Sequence, residues 1–343
     1  MARVLNLRDF NVESKTVLVR VDINSPLEPK NQEFLDDTRI RAIIPTLNLL
    51  TKSKVVILAH QSRPGKKDFT NTLGHSRELG RVLGRNVKWV DDIHGEKAMK
   101  AIEELKDGEI LMLKNVRMDP EEVSVKGNFE KMAETKIIQR LSSVVDIFVN
   151  DAFACAHRNT PSIVGFTHTL PCVAGELMKR EIDALDIALE NPQRPCIAVV
   201  GGIKVEDSIS IADNMLRKGI ADQIWATGGV ANLLIEYSGI DIGSKNHDFL
   251  VNELGDSYHK TVETAKAILN DFTDKIMLPT DLAANVENNR VDLRLDELPI
   301  EAPIFDIGIN STMALSAAIK QAGTIILNGP AGVFELKIGR AHV

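Results

Sequence analysis

Short apolar stretches that alternate with helix-like segments are the feature that most constrains the fold of this chain. Nine of them have the length of a strand: TVLVRVDI, VVILAH, ILMLKNV, DIFVNDAF, CIAVVGG, QIWATGG, KIMLPTD, IFDIG and TIILNGP. Their near-continuous apolarity indicates parallel strands that are covered on both faces. The segments between them, such as TRIRAIIPTLNLL and NSTMALSAAIKQAG, have helical spacing. We therefore predict an α/β protein made of parallel, Rossmann-like sheets with helices on both faces.

The length of the chain and a long helical pattern near its middle predict two lobes. A single hydrophobic core stops growing at roughly 250 to 300 residues, and this chain has 343. Apolar residues recur at helical spacing from Ala174 to Glu190, and Pro192 and Pro195 then stop the helix. The predicted ranges are an N-terminal lobe at 1–173, an interdomain helix at 174–191 and a C-terminal lobe at 192–336.

Charge and cysteine content exclude several classes of function. The net charge of −7 argues against a nucleic-acid or acidic-membrane partner, because such partners need a basic face. The three cysteines, Cys155, Cys172 and Cys196, form no C-x-x-C pair, so we expect neither a disulfide framework nor a zinc knuckle, and we assign no side chain to a metal. The sequence has neither a signal peptide nor an apolar run near the roughly 20 residues of a membrane span. We expect a cytoplasmic protein.

The residues that follow the predicted strands of the first half are polar and largely basic. Right-handed crossovers put the carboxyl ends of parallel strands at one edge of their sheet, where open α/β sheets bind ligands. The residues at this edge are Asp22, Asn24, His60, Arg63, Asn115, Arg117, Asn150, Asp151, His157 and Arg158, with Arg39 opening the first helix behind them. Converging arginines match the oxygens of a small, multiply charged anion. This half therefore predicts a binding site for a small acid.

In the second half, glycines follow the strands. They are Gly201, Gly202, Gly228, Gly229 and Gly308, together with the segment NGPAG at 328–332, and Asp281 is the one acid among them. Glycine lets backbone N–H groups and helix N-termini approach phosphate oxygens without a Cβ in the way. This half therefore predicts a nucleotide-binding site. A nicotinamide dehydrogenase or a Walker-type ATPase is excluded, because no strand is followed by G-x-G-x-x-G and GGIKVEDS is not a G-x-x-x-x-G-K-[ST] loop.

Six motifs, each at a strand end, resemble those of phosphoglycerate kinases, in particular the archaeal branch. They are RVDINSP, AHQSRP, VNDAFACAHR, VVGGIKVEDS, LPTD and NGPAGVFE, and the resemblance extends from Leu5 to Leu336. It implies phosphoryl transfer between 1,3-bisphosphoglycerate and ADP, giving 3-phosphoglycerate and ATP, with Mg²⁺ on the nucleotide. Such a transfer needs in-line positioning and charge neutralisation and no side-chain nucleophile. We expect each lobe to hold one substrate and the lobes to close, which excludes water.

The resemblance also implies roles for individual residues. The phosphoglycerate would be held by Asp22, Asn24, Arg39, His60, Arg63, Arg117 and Arg158. Arg39 would also contact the transferring phosphoryl group, and Arg39 and Lys204 would be the catalytic residues. The nucleotide phosphates would be held by Gly201, Gly202 and Lys204, and the nucleoside would be surrounded by Gly228, Gly229, Asn328, Pro330 and Glu335. Ser208 stands where many members carry a second lysine, although the archaeal branch often has serine there.

Two alternatives stay open. The chain could be a non-catalytic anion-binding paralogue that keeps the arginines and has lost nucleotide binding. It could also be an inactive fragment, because the family continues after GVFE with a G-G-G-D-[ST] turn that contacts the Mg²⁺-nucleotide, and LKIGRAHV does not contain one. The segment IGRAHV can also be back-translated into a common sequencing adapter. We therefore expect 337–343 to be a non-native tail and the truncated chain to turn over more slowly than a complete enzyme.

Overall fold

Parallel strands dominate the first part of the structure, a computed structural model that describes residues 4–28 and 30–336. The strands of this part are β1 (Thr16–Val21), β2 (Lys54–Leu58), β3 (Val87–Trp89), β4 (Ile110–Met112), β5 (Ile147–Asp151) and β6 (Cys172–Ala174). They form one sheet in the order β3-β4-β2-β1-β5-β6, and every neighbouring pair is parallel. Predicted runs form β1, β2, β4 and β5, whereas β3 and β6, with only three residues each, were not predicted.

Helices pack on both faces of this sheet. The helices are α1 (Thr38–Ala42), α2 (Ile44–Leu49), α3 (Leu73–Leu83), α4 (Glu96–Glu103), α5 (Pro120–Ser124), α6 (Phe129–Ala133), α7 (Lys136–Ser142) and α8 (Pro161–Val164). Val17 and Val19 of β1 join a cluster with α1 to α3, and Leu18 joins the cluster on the other face with α4 and α7. The pattern TRIRAIIPTLNLL forms two short helices, because Pro45 cannot continue a helix and instead lies in the first turn of α2.

A longer helix, α9 (Glu176–Glu190), follows β6 and matches the helical pattern predicted near the middle of the chain. The chain divides into two compact units between Ala184 and Leu185, inside this helix. Its first half therefore belongs to the first unit and its second half to the second. The predicted lobe limits at 1–173, 174–191 and 192–336 stay predictions.

The second unit contains a parallel sheet and a separate antiparallel sheet. Its strands are β7 (Cys196–Val200), β8 (Gln223–Ala226), β9 (Ile276–Met277), β10 (Asp281–Val286), β11 (Asn289–Arg294), β12 (Ile304–Ile307) and β13 (Thr324–Asn328). The parallel sheet has the order β13-β7-β8-β9. The helices are α10 (Val205–Arg217), α11 (Gly228–Tyr237), α12 (Ser244–Leu254), α13 (Tyr258–Asp271) and α14 (Ile309–Gln321). The parallel sheets of the two units confirm the predicted α/β class.

The antiparallel sheet, in the order β11-β10-β12, corrects one part of that prediction. The run IFDIG was predicted as a parallel strand, but as β12 it pairs antiparallel with β10. The sequence pattern did not reveal the hairpin between β10 and β11. Its two turn residues, Glu287 and Asn288, have φ angles of 51° and 65°, which suit a two-residue turn between antiparallel strands.

Hydrophobic clusters of unequal size cover the two faces of the second parallel sheet. Ala198 and Val200 belong to a large cluster with α10, α11 and α13, whereas Ile197 and Val199 pack in a small cluster with Leu315 of α14. On the edge strand β13, Ile325 and Leu327 remain 43% and 52% exposed, so the described residues cover this face thinly. None of the helices within 4–28 and 30–336 is long and apolar enough to cross a membrane.

Candidate active site

The loops after β1 and β2 meet at the carboxyl edge of the first sheet, as the parallel topology predicts. Asp22 directly follows β1, His60 lies just beyond β2, and both side chains are buried. Asn24 links the two loops, because its Oδ1 accepts a hydrogen bond from the backbone N–H of Ser62 at 2.7 Å. The backbone N–H of Asn24 donates to Asp22 Oδ1 at 3.1 Å. The structure thus brings Asp22, Asn24 and His60 together.

Arg39 lies next to this group because it is paired with Asp22. Its Nη1 donates to Asp22 Oδ2 at 2.5 Å. The Asp22 side chain is only 5% exposed, whereas the Arg39 side chain is 46% exposed. A buried carboxylate needs such a partner. Since a guanidinium has five N–H donors, the exposed part of Arg39 can still donate to a bound anion.

Arg117 lies on the turn that follows β4, and its side chain reaches the loop after β2. Its Nη1 donates to the carbonyl of Ser62. The turn that carries Arg117 is held by the buried Asn115, whose Oδ1 accepts from the Arg117 backbone N–H at 3.0 Å. The amide of Asn115 donates to the carbonyls of Gln61 and Thr70 at 2.9 and 2.7 Å. Asn115 therefore fixes the loop after β2 and the turn of Arg117 relative to each other.

Arg158 and Arg63 differ in their surroundings. Arg158 is half-buried, and its Nε has no hydrogen-bond partner among the described residues. Arg63 is exposed on the loop after β2, and its guanidinium makes no hydrogen bond or ion pair within residues 4–28 and 30–336. Both side chains keep donors that an anionic ligand could use.

Burial and positive charge keep the His60 ring neutral. Burial, followed by the charges of Arg20, Arg158 and Arg39, lowers the pKa of His60 to about 2. Arg20 was not predicted as a site residue. It belongs to β1, is 2% exposed, and its Nη2 lies 3.2 Å from His60 Nδ1. A single arginine inside an otherwise apolar strand is the signal that could have revealed it.

Cys155, which sequence reasoning treated as an ordinary buried thiol, also lies in this group. Its Sγ, a carboxylate oxygen of Asp22 and a ring nitrogen of His60 lie within 4.8 Å of one another, and all three residues are buried. Burial raises the pKa of the Cys155 thiol to about 11. Burial thus favours the protonated thiol while no cation is bound.

Glycine loops of the second unit pack directly against one another. The N–H groups of Gly201 and Gly202 donate to the carbonyls of Asn328 and Pro330 at 2.8 and 2.9 Å. The N–H of Gly229 donates to the carbonyl of Gly202 at 3.1 Å. These three N–H groups therefore serve contacts between the loops, and the roles predicted for the glycines toward a phosphate stay predictions.

The close packing of these loops requires glycine at several positions. A Cβ on Gly201 would lie 2.1 Å from Thr227 Oγ1 and 2.7 Å from the carbonyl oxygen of Pro330. Gly202 and Gly228 have φ angles of +85° and +52°, which side chains other than glycine rarely adopt. Close packing and positive φ angles thus account for these glycines without a ligand.

Lys204 and Ser208 lie at the start of α10. Lys204 is exposed at the N-cap position, whereas Ser208 is 3% exposed in the first turns of the helix. Ser208 Oγ donates to the carbonyl of Gly201 at 3.1 Å and accepts from Asn328 Nδ2 at 3.0 Å. The serine therefore connects α10 to the loop after β7 and to the end of β13.

Most of the predicted nucleotide residues form one cluster. Its members are Gly201, Gly202, Gly228, Gly229, Asn328 and Pro330. Lys204 flanks this cluster at the start of α10. Glu335 is exposed on the short 3₁₀ turn Phe334–Leu336, and no hydrogen bond or ion pair of its side chain among the described residues joins it to the cluster. The predicted tail at 337–343 lies outside the described residues.

Comparison with known proteins agrees with this geometry. The sequence pattern of a family described as phosphoglycerate kinase matches residues 7–339. The chain belongs to the phosphoglycerate kinase family. As a member, it is a kinase, and phosphoglycerate kinases act on small molecules. The resemblance carried by the six motifs is confirmed, and no comparison favours an inactive fragment or a non-catalytic paralogue.

Three phosphoglycerate kinases from archaea illustrate this similarity. The chain is 47% identical over 329 residues to the one from Methanobacterium bryantii, which covers 95% of this chain and 79% of that protein. With the one from Methanothermus fervidus it shares 44% identity over 337 residues, covering 98% and 81%. The crystal structure of phosphoglycerate kinase from Pyrococcus horikoshii OT3 superposes with a TM-score of 0.85 at 38% identity, covering 98% of this chain and 83% of that one. These matches confirm the expected branch and fold.

Proposed function

We propose that this chain transfers a phosphoryl group between 1,3-bisphosphoglycerate and ADP, giving 3-phosphoglycerate and ATP, as a glycolytic reaction of the cytoplasm. The first unit binds the glycerate and the second unit binds the nucleotide. The observation that carries this proposal is the group around His60, where a buried carboxylate and several arginines surround a neutral imidazole. Such a group suits a small ligand with both a carboxylate and a phosphate.

In the glycerate site, each residue has a role that follows from its contacts. Arg39, Arg63, Arg117 and Arg158 supply positive charge, and Arg39 is held by Asp22. Asn24 keeps the loops after β1 and β2 in register through Ser62. His60 contributes a neutral ring at the buried end of the site. Because the charges come from four separate elements, the site selects shape as well as charge.

Catalysis requires little covalent chemistry from the protein. The carboxylate of 3-phosphoglycerate is itself the nucleophile toward ATP, and the transferring group needs positioning and charge neutralisation. Arg39 supplies that charge from the glycerate side, because its guanidinium is half-exposed while one nitrogen is fixed by Asp22. Lys204 supplies it from the nucleotide side, at the N-terminus of α10.

The nucleotide lies, in this proposal, along the loops of the second unit. Gly201, Gly202 and Lys204 face its phosphates, and the other members of the glycine cluster, with Glu335, surround the nucleoside. Mg²⁺ would enter as part of the nucleotide substrate and would neutralise charge on its phosphates. Among the described residues, the His/Cys/Asp/Glu cluster close enough to hold a metal lies in the first unit instead, where Asp22 is already paired with Arg39.

A coupled assay tests this function. The purified chain is given 3-phosphoglycerate and MgATP, and the 1,3-bisphosphoglycerate formed is reduced by glyceraldehyde-phosphate dehydrogenase with oxidation of NADH. We expect oxidation that depends on each substrate and is lost in the Lys204→Met variant. A wild-type chain that binds 3-phosphoglycerate and MgATP in calorimetry but gives no such oxidation would overturn the proposed reaction.

A further inference from the structure

A buried polar network connects β1 to His60. Arg20 is 2% exposed, and its Nε donates to Ser162 Oγ at 3.0 Å. Ser162 in turn donates its hydroxyl and its backbone N–H to the carboxylate of Glu122 at 2.7 and 2.8 Å. The Nη1 of Arg20 donates to the carbonyl of Val21, and Nη2 faces His60 Nδ1. Each of the three guanidinium nitrogens therefore has a partner, and these contacts hold the Arg20 side chain in one position.

The contact with Arg20 decides which nitrogen of His60 carries the proton. A guanidinium can only donate hydrogen bonds, so His60 Nδ1 must accept with its lone pair across the 3.2 Å to Arg20 Nη2. Since burial and nearby arginines lower the pKa of His60 to about 2, the ring is neutral and its single proton resides on Nε2.

The Nε2–H of His60 lacks an acceptor. The His60 side chain is 1% exposed, and Nε2 makes no hydrogen bond with the described residues. A buried donor without a partner is costly, which indicates that the acceptor comes from a ligand. Because Nε2 is shielded from solvent here, an approaching oxygen must displace a neighbouring side chain.

We propose that Arg20 is a positioning residue that fixes His60 as the Nε2–H tautomer, so that the ring offers a neutral N–H donor to an oxygen of the glycerate. This inference rests on the proposed function. Arg20 itself does not touch the substrate. It acts through His60, and Glu122 with Ser162 keeps it in place.

The same geometry argues against a metal ion at the cluster of Asp22, His60 and Cys155. Ligation through Nε2 would move the ring proton to Nδ1, where it would point at the guanidinium of Arg20. Asp22, the carboxylate of the cluster, is also already paired with Arg39. The cluster is therefore suited to an anion that accepts hydrogen bonds and not to a cation.

Nitrogen NMR of the free protein tests the tautomer directly. The chain has eight histidines, so ¹⁵N-histidine labelling gives a small set of signals, and His60 is assigned by its loss in the His60→Gln variant. We expect a pyridine-type Nδ1 and a pyrrole-type Nε2 that persist from pH 5 to pH 8. In Arg20→Leu we expect a mixture of tautomers, and in Arg20→Lys, which keeps a donor-only cation, the wild-type pattern. A pyrrole-type Nδ1 in the wild type, or an unchanged ring in Arg20→Leu, would overturn the proposal.

A pair of substitutions at His60 tests the donor while Arg20, Ser162 and Glu122 stay unchanged. The amide nitrogen of glutamine can occupy the place of Nε2, whereas that of asparagine reaches only the place of Nδ1. We expect His60→Gln to bind 3-phosphoglycerate within about ten-fold of the wild type in calorimetry, and His60→Asn about 10- to 100-fold more weakly than His60→Gln. Equal affinities of the two variants would contradict the proposal, even if Arg20→Leu fails to fold.

Two further outcomes separate this inference from the proposed function. A wild-type chain that binds no 3-phosphoglycerate would count against the glycerate site, while the spectrum of the free protein still decides the effect of Arg20 on His60. Addition of Zn²⁺ without substrate is expected to leave the His60 nitrogens unchanged. A stoichiometric shift of Nε2 with Zn²⁺ would show that the ring can act as a metal ligand and would overturn the inference that the cluster does not suit a cation.

Discussion

The candidate sites of the two units are built in different ways. The first unit uses charged side chains that are held by a buried carboxylate and by amides, as in the pair of Arg39 with Asp22. The second unit uses loops so closely packed that a Cβ at Gly201 would overlap Thr227. A site of the first kind can be weakened one charge at a time. A site of the second kind depends on backbone packing, so that single added atoms disturb it.

Loss of the lysine at the start of α10 should have the largest effect on activity. Lys204 is exposed and is the one lysine of the motif GGIKVEDS. Because it would neutralise charge on the nucleotide phosphates, we expect Lys204→Met to lower kcat by about a thousand-fold. Binding of 3-phosphoglycerate to the first unit, measured by calorimetry, should stay within a factor of about two.

The matched control for this prediction lies at the other end of the same helix. Lys218 is also exposed, and it forms the C-cap of α10. We expect Lys218→Met to retain nearly full turnover. If both variants lose activity alike, the effect belongs to the net charge of the second unit and not to the position of Lys204.

Two arginines of the first unit should differ in which kinetic constant they change. If Arg39 meets the moving phosphoryl group, Arg39→Ala should lower kcat by about a hundred-fold. Its loss also leaves Asp22 without the partner that it has at 2.5 Å. Arg63→Ala, at the exposed non-reacting end, should mainly raise KM for 3-phosphoglycerate, by about ten-fold. Steady-state kinetics separate the two constants, and equal effects of both variants on both constants would refute the assignment.

Replacing a glycine by alanine should change the free energy of unfolding differently in the two units. We expect Gly201→Ala to destabilise the second unit by about 1–3 kcal/mol, because the Cβ would meet Thr227 and the carbonyl of Pro330. As a control in the first unit, a Cβ on Gly74 in α3 would have Phe34 as its nearest neighbour at 3.8 Å. Gly74→Ala should be neutral or stabilising by up to about 1 kcal/mol.

Tryptophan fluorescence can report separately on the unfolding of each unit. Its two tryptophans are Trp89 in β3 and Trp225 in β8, one in each unit. Denaturant unfolding followed in the Trp89→Phe and Trp225→Phe backgrounds then assigns each change to one unit. An unchanged midpoint for Trp225 fluorescence in the Gly201→Ala protein would mean that the loops can separate without cost.

The smallest expected effect is a dependence of the stability of the first unit on pH. The hydrogen bond from His94 Nε2 to Asp119, at 2.5 Å, raises the pKa of His94 against the opposing effect of burial. A pKa raised in the folded state stabilises the protein below the unfolded value near 6.5, and this contribution is lost as pH rises through the folded pKa. We therefore expect the denaturant midpoint of the first unit, followed by Trp89 fluorescence, to decrease slightly when the pH rises above the folded pKa of His94. His94→Gln should abolish this decrease, and a decrease of equal size in that variant would contradict the explanation.

The sequence alone predicted that the polar strand ends of the first half meet at one edge of the sheet. Asp22 and His60 follow apolar runs that become β1 and β2, and parallel topology places such strand ends together whatever the details of packing. Local patterns were sufficient there, because the apolar runs identify the strands and the residues after each run identify the polar groups at the strand ends. The family resemblance then supplied the roles of Arg39 and Lys204, which spacing could not provide.

Contacts between distant residues were decided only by the tertiary structure. In the sequence, Arg20 is a charged residue within an otherwise apolar strand. Only the fold shows its partners, because His60 and Ser162, 40 and 142 residues away, place acceptors around it. The antiparallel pairing of β10 with β11 likewise depends on the hairpin at Glu287 and Asn288, whose φ angles a sequence pattern does not reveal. The partners of Gly201 and Gly202 come from the far end of the unit, at Asn328 and Pro330. Hydrogen-bond partners and proton positions depend on which groups meet in space, and the chain brings those groups together only when it is folded.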